Sequence, residues 1–328
     1  MNYRSFGKTG WKISEISLGT WQVGGGWGQE FNSKTAESIL HEAMDHGINF
    51  IDTADVYASG LSEKAVGLAV KARSEKIYVA TKCGRQIQPH VAAGYTVEVL
   101  RKYVENSLSN LGLDTIDLIQ LHCPPTEVYR REEIFELFER LKEEGKIQQM
   151  GVSVELVDEA LLAMEYDIVA SVQIIFNMFR LKPAETLFTN SKIKNIGIIA
   201  RVPLASGLLT GNYGPETSFS KEDHRFFNRN GEAFDKGETF SGIDYHQGLQ
   251  AVEELKSLFK GNGNLAAWAI RWVLMFEQIG TVIPGASSAA QVKSNVLAAA
   301  LPPLTDAQLE AVREIYDRYF RAEIHQLW

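Results

Sequence analysis

Short apolar runs alternate along the chain with longer segments in which apolar residues recur every three or four positions. The short runs predict buried strands, which end near Gly19, Asp52, Lys82, His122, Ser153, Gln173, Arg201 and Pro284. The periodic segments predict amphipathic helices, as in Arg131–Glu144, where Ile134, Leu137 and Leu141 share one face. Eight strand and helix units in series predict an α/β fold whose parallel sheet closes into a barrel.

The regular spacing breaks once, between the seventh and eighth strand ends. The gap from Arg201 to Pro284 is more than twice as long as any other gap between successive ends. Its 212–247 part is rich in Gly, Asn, Ser and charged residues, which predicts a long insertion over the strand ends. Helices are predicted after it over Tyr245–Lys260 and Leu265–Phe276.

The amino-terminal segment Arg4–Ser17 has glycines at turn positions and predicts a small hairpin across the bottom of the barrel. No linker or low-complexity tract interrupts the chain, so residues 1–328 are expected to form one domain.

Composition narrows the possible partners. The formal charge is -8 and the pI is near 5.5, which argues against a nucleic-acid-binding surface because no cluster of Lys and Arg is present. No apolar run is long enough for a signal peptide or a membrane span. Cys83 and Cys123 fit reduced thiols rather than a disulfide framework. A cytoplasmic protein with neither nucleic-acid nor membrane partners is expected.

Three consecutive predicted strands end on titratable side chains. These strands are Asn49–Asp52, Ile77–Lys82 and Ile116–His122. Because the carboxyl ends of parallel barrel strands meet at one face, the three side chains are expected to converge there. Tyr57 follows Asp52 through a short loop and can fold back over the same face.

These four residues together predict a proton donor for a carbonyl group. The phenol of Tyr57 has an ordinary pKa near 10, and a neighbouring Lys82 ammonium would make it more acidic. Asp52 would hold that ammonium in place, and His122 would orient the substrate oxygen. Each residue alone also has a structural explanation, such as an Asp52–Lys82 ion pair without catalytic role.

Six motifs extend this pattern: D-x-A-x-x-Y at Asp52–Tyr57, Lys82, His122, GVS at Gly151–Ser153, PLASGLLTG at Pro203–Gly211 and IPGASSAAQVKSN at Ile283–Asn295. In this order and spacing the chain resembles the aldo-keto reductases over nearly its whole length. The resemblance implies a (β/α)8 TIM barrel, a nicotinamide cofactor and direct hydride transfer to an aldehyde or ketone, or the reverse oxidation. It also implies that Tyr57 is the general acid, that Asp52 and Lys82 tune it, and that His122 positions the carbonyl.

The resemblance assigns further residues to the cofactor. Those expected near the nicotinamide are Gly19, Thr20, Trp21, Asp52, Ser153, Gln173 and Arg201. Those expected around the pyrophosphate are Pro203, Leu204, Ser206, Gly207 and Leu209. At the adenosine end they are Gly285, Ser287, Gln291 and Asn295, the last three on one helix face. Trp21 and Trp27 are candidates for the substrate pocket.

Two departures from the family pattern bear on the cofactor. Arg201 stands where many relatives stack an aromatic ring on the nicotinamide, so a preference for the reduced, uncharged ring is expected. Positions where relatives carry cations for a 2′-phosphate hold Asn212, Gly285 and Gln291 instead. The insertion can supply charge from Lys221, Arg225 and Arg229. NADP(H) is therefore expected over NAD(H), which stays possible.

The sequence leaves three candidate functions. An NAD(P)H-dependent reductase of a small-molecule carbonyl or sugar is favoured. The second is a cofactor-binding, redox-sensing regulatory subunit with little turnover, since barrels of this family also serve as partners of channels. The third, a metal-dependent hydrolase, typically needs a His-x-His pair at the first strand end, which Ile16–Thr20 lacks, so no metal site is predicted. Substrate, physiological direction and oligomeric state are not determined by the sequence.

Overall fold

The fold opens with a hairpin that covers the bottom of a barrel. Strands β1 (Tyr3–Ser5) and β2 (Lys12–Ser14) pair antiparallel. Phe6 lies between them, fully buried, and a Cβ at Gly197 or Gly280 would come 2.5 or 2.6 Å from its ring. The hairpin is thus observed as predicted.

The computed structural model describes residues 1–26, 28–261 and 264–328.

Eight parallel strands follow one another around the sheet in chain order. They are β3 (Leu18–Gly19), β4 (Phe50–Asp52), β5 (Tyr78–Cys83), β6 (Ile116–His122), β7 (Ile147–Ser153), β8 (Val169–Ile175), β9 (Gly197–Arg201) and β10 (Ile279–Val282). Parallel bridges join Ile16 to Val282 and Gly19 to Gly285, so the first strand meets the last and the sheet closes. The predicted (β/α)8 barrel is confirmed.

Helices separate the strands and cover the sheet. They are α1 (Ser33–Asp45), α2 (Leu61–Lys71), α3 (Val97–Leu111), α4 (Glu132–Glu143), α5 (Val157–Ala163), α6 (Leu187–Ile193), α7 (His224–Phe227), α8 (Tyr245–Leu258), α9 (Leu265–Val273), α10 (Ala289–Leu297), α11 (Asp306–Tyr316) and α12 (Ala322–Ile324). The predicted face of α4 is buried, including Ile134, Leu137 and Leu141. Helices α8 and α9 begin where predicted and end two or three residues earlier. Within the described ranges, no helix has both the length and the apolar character needed to span a membrane.

The insertion after β9, the seventh barrel strand, has an aromatic core of its own. The ring of Phe240 lies 5.8 Å from Phe219 and 5.2 Å from Tyr245, and the Arg229 guanidinium lies 5.0 Å from the Tyr245 ring. Ser206 Oγ, beyond the end of β9, donates a 3.1 Å hydrogen bond to the carbonyl of Glu238. The predicted loop therefore contains short helical turns and is attached to the strand ends.

Candidate active site

Strand register brings Asp52 and Lys82 together at the ends of β4 and β5. Asp52 is paired with Ala80, so Lys82 lies two residues further along on the neighbouring strand. The two side chains are almost fully buried, with Lys82 Nζ 2.5 Å from Asp52 Oδ1 and 2.9 Å from the carbonyl oxygen of Thr53. A buried ion pair of this kind repays the cost of its desolvation only when both partners make additional hydrogen bonds.

The second oxygen of Asp52 accepts hydrogen bonds from two glutamines inside the barrel. Gln120 Nε2 lies 3.1 Å and Gln173 Nε2 2.8 Å from Asp52 Oδ2. The carboxylate therefore has donors on both oxygens, which fixes its orientation toward Lys82. Sequence reasoning missed Gln120, although it precedes His122 by two positions on β6 and so faces the same side of the sheet.

Tyr57 is brought back toward Lys82 by a tight turn before α2. Residues Ala58 and Ser59 in this turn have φ values of 46° and 54°, in the left-handed region. Tyr57 Oη lies 3.4 Å from Lys82 Nζ, and Nζ lies 5.0 Å from the centre of the phenol ring. The predicted proximity of the phenol and the ammonium is thus present.

The acidity of Tyr57 differs from the sequence-based expectation. Burial raises the pKa of Tyr57, and the smaller lowering effect of Lys82 does not overcome it, so the net shift is upward. For Lys82, burial opposes the charged form, yet Asp52 and Tyr57 raise its pKa above the ordinary value. At neutral pH the side chains are therefore a protonated phenol beside an ammonium, which leaves a proton available for transfer.

His122 lies at the end of β6, across from Tyr57, with the two ring centres 6.2 Å apart. Burial, followed by the charges of Arg85 and Lys82, holds the pKa of His122 well below its ordinary value. The imidazole is therefore neutral at physiological pH. Its Nδ1 is buried without a hydrogen-bond partner among the described residues.

A second group of charges lies at the mouth of the barrel and was not predicted as a group. We call it the mouth cluster; it consists of Arg85, Glu155, Arg201 and Glu238. Arg201 Nη2 lies 2.9 Å from Glu155 Oε2, and Glu238 Oε1 lies 2.8 Å from Arg85 Nη1 and 3.7 Å from Arg201 Nη1. Its members come from β9, from loops after β5 and β7, and from the insertion, so their proximity depends on tertiary structure.

The two carboxyl groups of the mouth cluster have opposite pKa shifts. Burial raises the pKa of Glu155 to about 8. Burial also opposes ionisation of Glu238, but Arg85 and Arg201 hold its pKa below the ordinary range. The pair therefore retains one proton at neutral pH. Cys123 Sγ lies within 4.8 Å of a ligand atom of each carboxyl group, but both carboxyl groups are already paired with guanidinium groups.

The mouth cluster fixes the position of Arg201. Its guanidinium is paired with Glu155 and also donates a 3.1 Å hydrogen bond to the carbonyl of Val154. Glu155 keeps its proton up to about pH 8, so at neutral pH the one negative charge of the cluster, on Glu238, faces both guanidinium groups, and the cluster keeps a net positive charge. The expected preference for reduced cofactor therefore stays a prediction.

The candidate nicotinamide residues differ in accessibility. Gly19 is half-buried, and a Cβ there would lie 2.9 Å from the carbonyl oxygen of Ile283. Thr20 is fully buried; its hydroxyl accepts a hydrogen bond from Ser62 Oγ and its backbone N–H donates to the carbonyl of Asp52. Trp21 is half-buried and contacts His224 of the insertion edge-on at 4.9 Å. The other tryptophan proposed for the pocket, Trp27, lies outside the described residues.

Ser153 and Gln173, assigned to the carboxamide, are both 1% exposed; Ser153 ends β7, and Gln173 lies two residues before the end of β8. The amide nitrogen of Gln173 is bonded to Asp52 and Gln120, which leaves its oxygen to accept from a ligand amide. Gln173 therefore connects the Asp52–Lys82 pair to the expected position of the cofactor.

The PLASGLLTG segment turns sharply. Ser206 and Gly207 have φ values of 54° and 98°, and a Cβ at Gly207 would lie 2.3 Å from the Tyr213 hydroxyl. Leu209 is fully buried in the core and Pro203 is buried, while Leu204 is half-buried. The backbone N–H of Leu209 donates to the carbonyl of Leu204, so Leu209 is part of the turn itself.

The adenosine-end residues form an accessible rim at the start of α10. Gly285, Ser287 and Gln291 are exposed, and Gln291 Oε1 accepts hydrogen bonds from the Ser287 backbone at 2.8 Å and hydroxyl at 3.1 Å. Asn295 is buried and donates to the Gly285 carbonyl at 3.1 Å. Asn295 thus supports the rim from below.

The arginines proposed for a 2′-phosphate are used within the insertion. Arg225 donates to both oxygens of Asp223, at 2.9 and 2.5 Å, and to the Tyr213 hydroxyl at 2.6 Å. Arg229 donates to the Arg225 carbonyl and lies against Tyr245. A phosphate would have to compete with these partners.

The closed barrel thus holds an ammonium, a carboxylate and an imidazole at its strand ends, with a phenol turned back beside them. Comparison with known proteins agrees. The sequence profile of the Aldo/keto reductase family matches residues 15–317, so the chain belongs to that family.

Similar proteins support oxidoreductase activity. The chain is 31% identical over 283 residues to "Aldo-keto reductase YhdN" of Bacillus subtilis, covering 84% of this chain and 81% of that protein. It is 30% identical over 330 residues to "Probable voltage-gated potassium channel subunit beta" of Arabidopsis thaliana, covering 96% of each. The solved glycerol dehydrogenase AKR11B4 of Gluconobacter oxydans superimposes with a TM-score of 0.77 at 30% identity, over 97% of this chain and 96% of that one.

Proposed function

We propose that this protein catalyses the NAD(P)H-dependent reduction of an aldehyde or ketone, or the reverse oxidation, with Tyr57 as the general acid. The observation that carries the proposal is the 3.4 Å separation of Tyr57 Oη and Lys82 Nζ, at strand ends that also hold His122. Catalysis would use one barrel domain formed by residues 1–328, acting in the cytoplasm on a small-molecule carbonyl or sugar.

In the proposed reduction, the substrate oxygen lies between His122 and Tyr57. Neutral His122 donates a hydrogen bond to that oxygen and orients the carbonyl, which requires the tautomer with its proton on the nitrogen facing the substrate. Tyr57 then transfers its phenolic proton to the oxygen as negative charge develops there. The Lys82 ammonium stabilises the phenolate left behind, and Asp52 keeps Lys82 charged and in position.

The residues assigned to a nicotinamide cofactor fit such a group. Gly285, Ser287 and Gln291 are exposed at the start of α10, where backbone amides favour a phosphate. At the other end, the free amide oxygen of Gln173 can accept from a carboxamide. When bound, the cofactor supplies the hydride in reduction or accepts it in oxidation.

We retain NADP(H) as the expected cofactor, with NAD(H) as the alternative. Lys221 is exposed and is the remaining candidate cation of the insertion, because Arg225 and Arg229 are bound to neighbouring groups. Titration with NADPH and NADH, followed by fluorescence quenching, tests this choice directly. Equal affinities would reject a pocket specific for the 2′-phosphate.

A cofactor-binding regulatory subunit with little turnover is the second candidate. It is favoured by the similarity to a protein named as a potassium channel subunit beta. This alternative requires cofactor binding but not efficient proton transfer from Tyr57. Tight binding of a nicotinamide without turnover of any tested carbonyl would support it over the reductase.

The deciding experiment assays the purified protein with a panel of aldehydes, ketones and sugars, each with NADPH and with NADH. The matched variant is Tyr57→Phe, which keeps the ring and removes the proton. For the best substrate we expect a loss of roughly 10²- to 10⁴-fold in kcat, since general acid catalysis is lost. Cofactor affinity should stay near that of the parent. Unchanged turnover by Tyr57→Phe would contradict the proposed role.

A further inference from the structure

The mouth cluster depends on how the insertion is held above it. Glu238 ends the short turn Lys236–Glu238, and its carboxylate contacts the barrel through Arg85 and Arg201. Its charge acts on both Tyr57 and His122, so its position matters to the proposed active site.

Trp328 contacts this turn directly. Its side chain is buried, and its indole Nε1 donates to Asp235 at 3.0 Å. Asp235 Oδ1 also accepts a 2.7 Å hydrogen bond from the Gly237 backbone and so caps the turn that carries Glu238. A Cβ at Gly242 would lie 2.1 Å from the indole ring, which shows how closely the insertion fits around it.

The same indole also supports the other carboxyl group of the mouth cluster. The Arg180 guanidinium lies 4.1 Å from the centre of the Trp328 ring, in a cation–π contact. Arg180 Nη2 donates a 2.6 Å hydrogen bond to the backbone carbonyl of Glu155, while its Nε and Nη1 are buried without hydrogen-bond partners in the described ranges. The ring of Trp328 is therefore a principal support of this arginine.

We propose that Trp328 is a positioning residue for the active site, which places Glu238 through Asp235 and the Glu155 backbone through Arg180. A single side chain, distant in sequence from every strand end, thereby holds both halves of the carboxyl pair beside Arg85 and Arg201. The consequence for catalysis rests on the proposed reductase function, whereas the placement of the turn does not.

The placement is tested without activity, by hydrogen exchange. In Trp328→Ala, we expect faster exchange of the Gly237, Glu238 and Phe240 amides, which are bonded to Asp235 and Ser206. Exchange in the barrel strands should match the parent. Leu327→Ala removes the exposed neighbouring side chain and serves as the matched control. Parent-like protection of the turn in Trp328→Ala would overturn the proposal.

The catalytic consequence is tested by a double-mutant cycle. Trp328→Ala and Glu238→Gln are each expected to lower kcat/KM by about 10-fold or more, because small displacements at an active site are costly. If Trp328 acts through Glu238, the double variant should be no worse than the more affected single variant. Trp328→Phe keeps the ring over Arg180 but lacks the N–H, so it should fall between parent and Trp328→Ala.

The outcomes separate the two proposals. If the losses of the two single variants multiply in the double variant, or if Trp328→Ala behaves as Leu327→Ala does, Trp328 is not a positioning residue for Glu238. If the parent turns over no carbonyl substrate, the reductase proposal fails, and the exchange experiment still decides the placement of the turn.

Discussion

Buried charges are paired differently in the strand-end group of Asp52 and Lys82 and in the mouth cluster. At the strand ends, one carboxylate faces one ammonium, and two glutamine amides satisfy the remaining carboxylate oxygen. In the mouth cluster, two carboxyl groups share two guanidinium groups, and one carboxyl group keeps a proton to about pH 8. Removing either residue of the first pair leaves an unpaired buried charge. In the mouth cluster, removal of one residue can be offset by protonation or deprotonation of a carboxyl group.

The difference follows from what holds the residues. Asp52 and Lys82 are fixed by the register of adjacent strands. Glu238 is carried by an insertion that depends on Trp328 and Ser206. A group built on strands is therefore expected to be rigid and intolerant of substitution, and a group built on loops to be more adaptable.

The largest effect on stability and turnover is expected when the cation of the strand-end group is removed, and a smaller one when a cation of the mouth cluster is removed. Lys82→Met leaves the Asp52 carboxylate buried without its cation, which typically costs about 3–5 kcal/mol of unfolding free energy. It should also abolish turnover, because the phenolate of Tyr57 loses its stabilising charge. Arg201→Met should cost less, since Arg85 still pairs with Glu238 and Glu155 can stay protonated.

Urea unfolding and steady-state kinetics of both variants measure this contrast. Asp52→Asn combined with Lys82→Met removes the unpaired carboxylate that Lys82→Met leaves buried. This double variant should recover part of the stability without restoring turnover. An Arg201→Met variant as unstable as Lys82→Met would show that the mouth cluster is not adaptable.

Asp55 is a further buried carboxyl group near the strand ends, with only 3% of its surface exposed. Burial, followed by the charge of Glu63, raises the pKa of Asp55 to about 7. Since the folded state holds this proton more tightly than the unfolded chain, stability is full below about pH 4 and is lost as pH rises toward 7. Asp55→Asn should therefore gain stability over the parent, on the order of 2–4 kcal/mol at pH 8 and much less at pH 4.

The gain is read from urea midpoints of parent and variant across this pH range. The isosteric amide limits changes in packing. A gain of equal size at both ends of the range would mean that the carboxyl group does not titrate near neutral pH in the folded protein.

The smallest effect is expected from Glu155→Gln. Because burial keeps Glu155 protonated up to about pH 8, the amide resembles the group present at pH 7, and kcat/KM there should change little. Above pH 8 the parent gains a negative charge beside Arg201 that the variant cannot form. The pH profile of the parent should then show an inflection near 8 that is missing in Glu155→Gln. Identical profiles would remove Glu155 from the titrating pair.

Several parts of the site could be predicted from local pattern. Asp52 and His122 end the strands at the positions expected, and the Lys82 strand continues one residue further. The acidity of Tyr57 could not be predicted, because the neighbouring charge was visible in the sequence but the larger effect of burial was not. Arg201 was identified as unusual, yet its partner Glu238 lies in an insertion whose path has no periodic signal.

The sequence by itself determined the order of the strands, the eight-unit barrel and the side chains at the strand ends. Periodicity and strand alternation are local properties, and parallel closure brings strand ends to one face. Only the tertiary structure decided which charges meet at the mouth, how far each side chain is desolvated, and that Trp328 contacts the turn that carries Glu238. Such contacts join residues far apart in the chain, and their energies depend on burial, which no local pattern encodes.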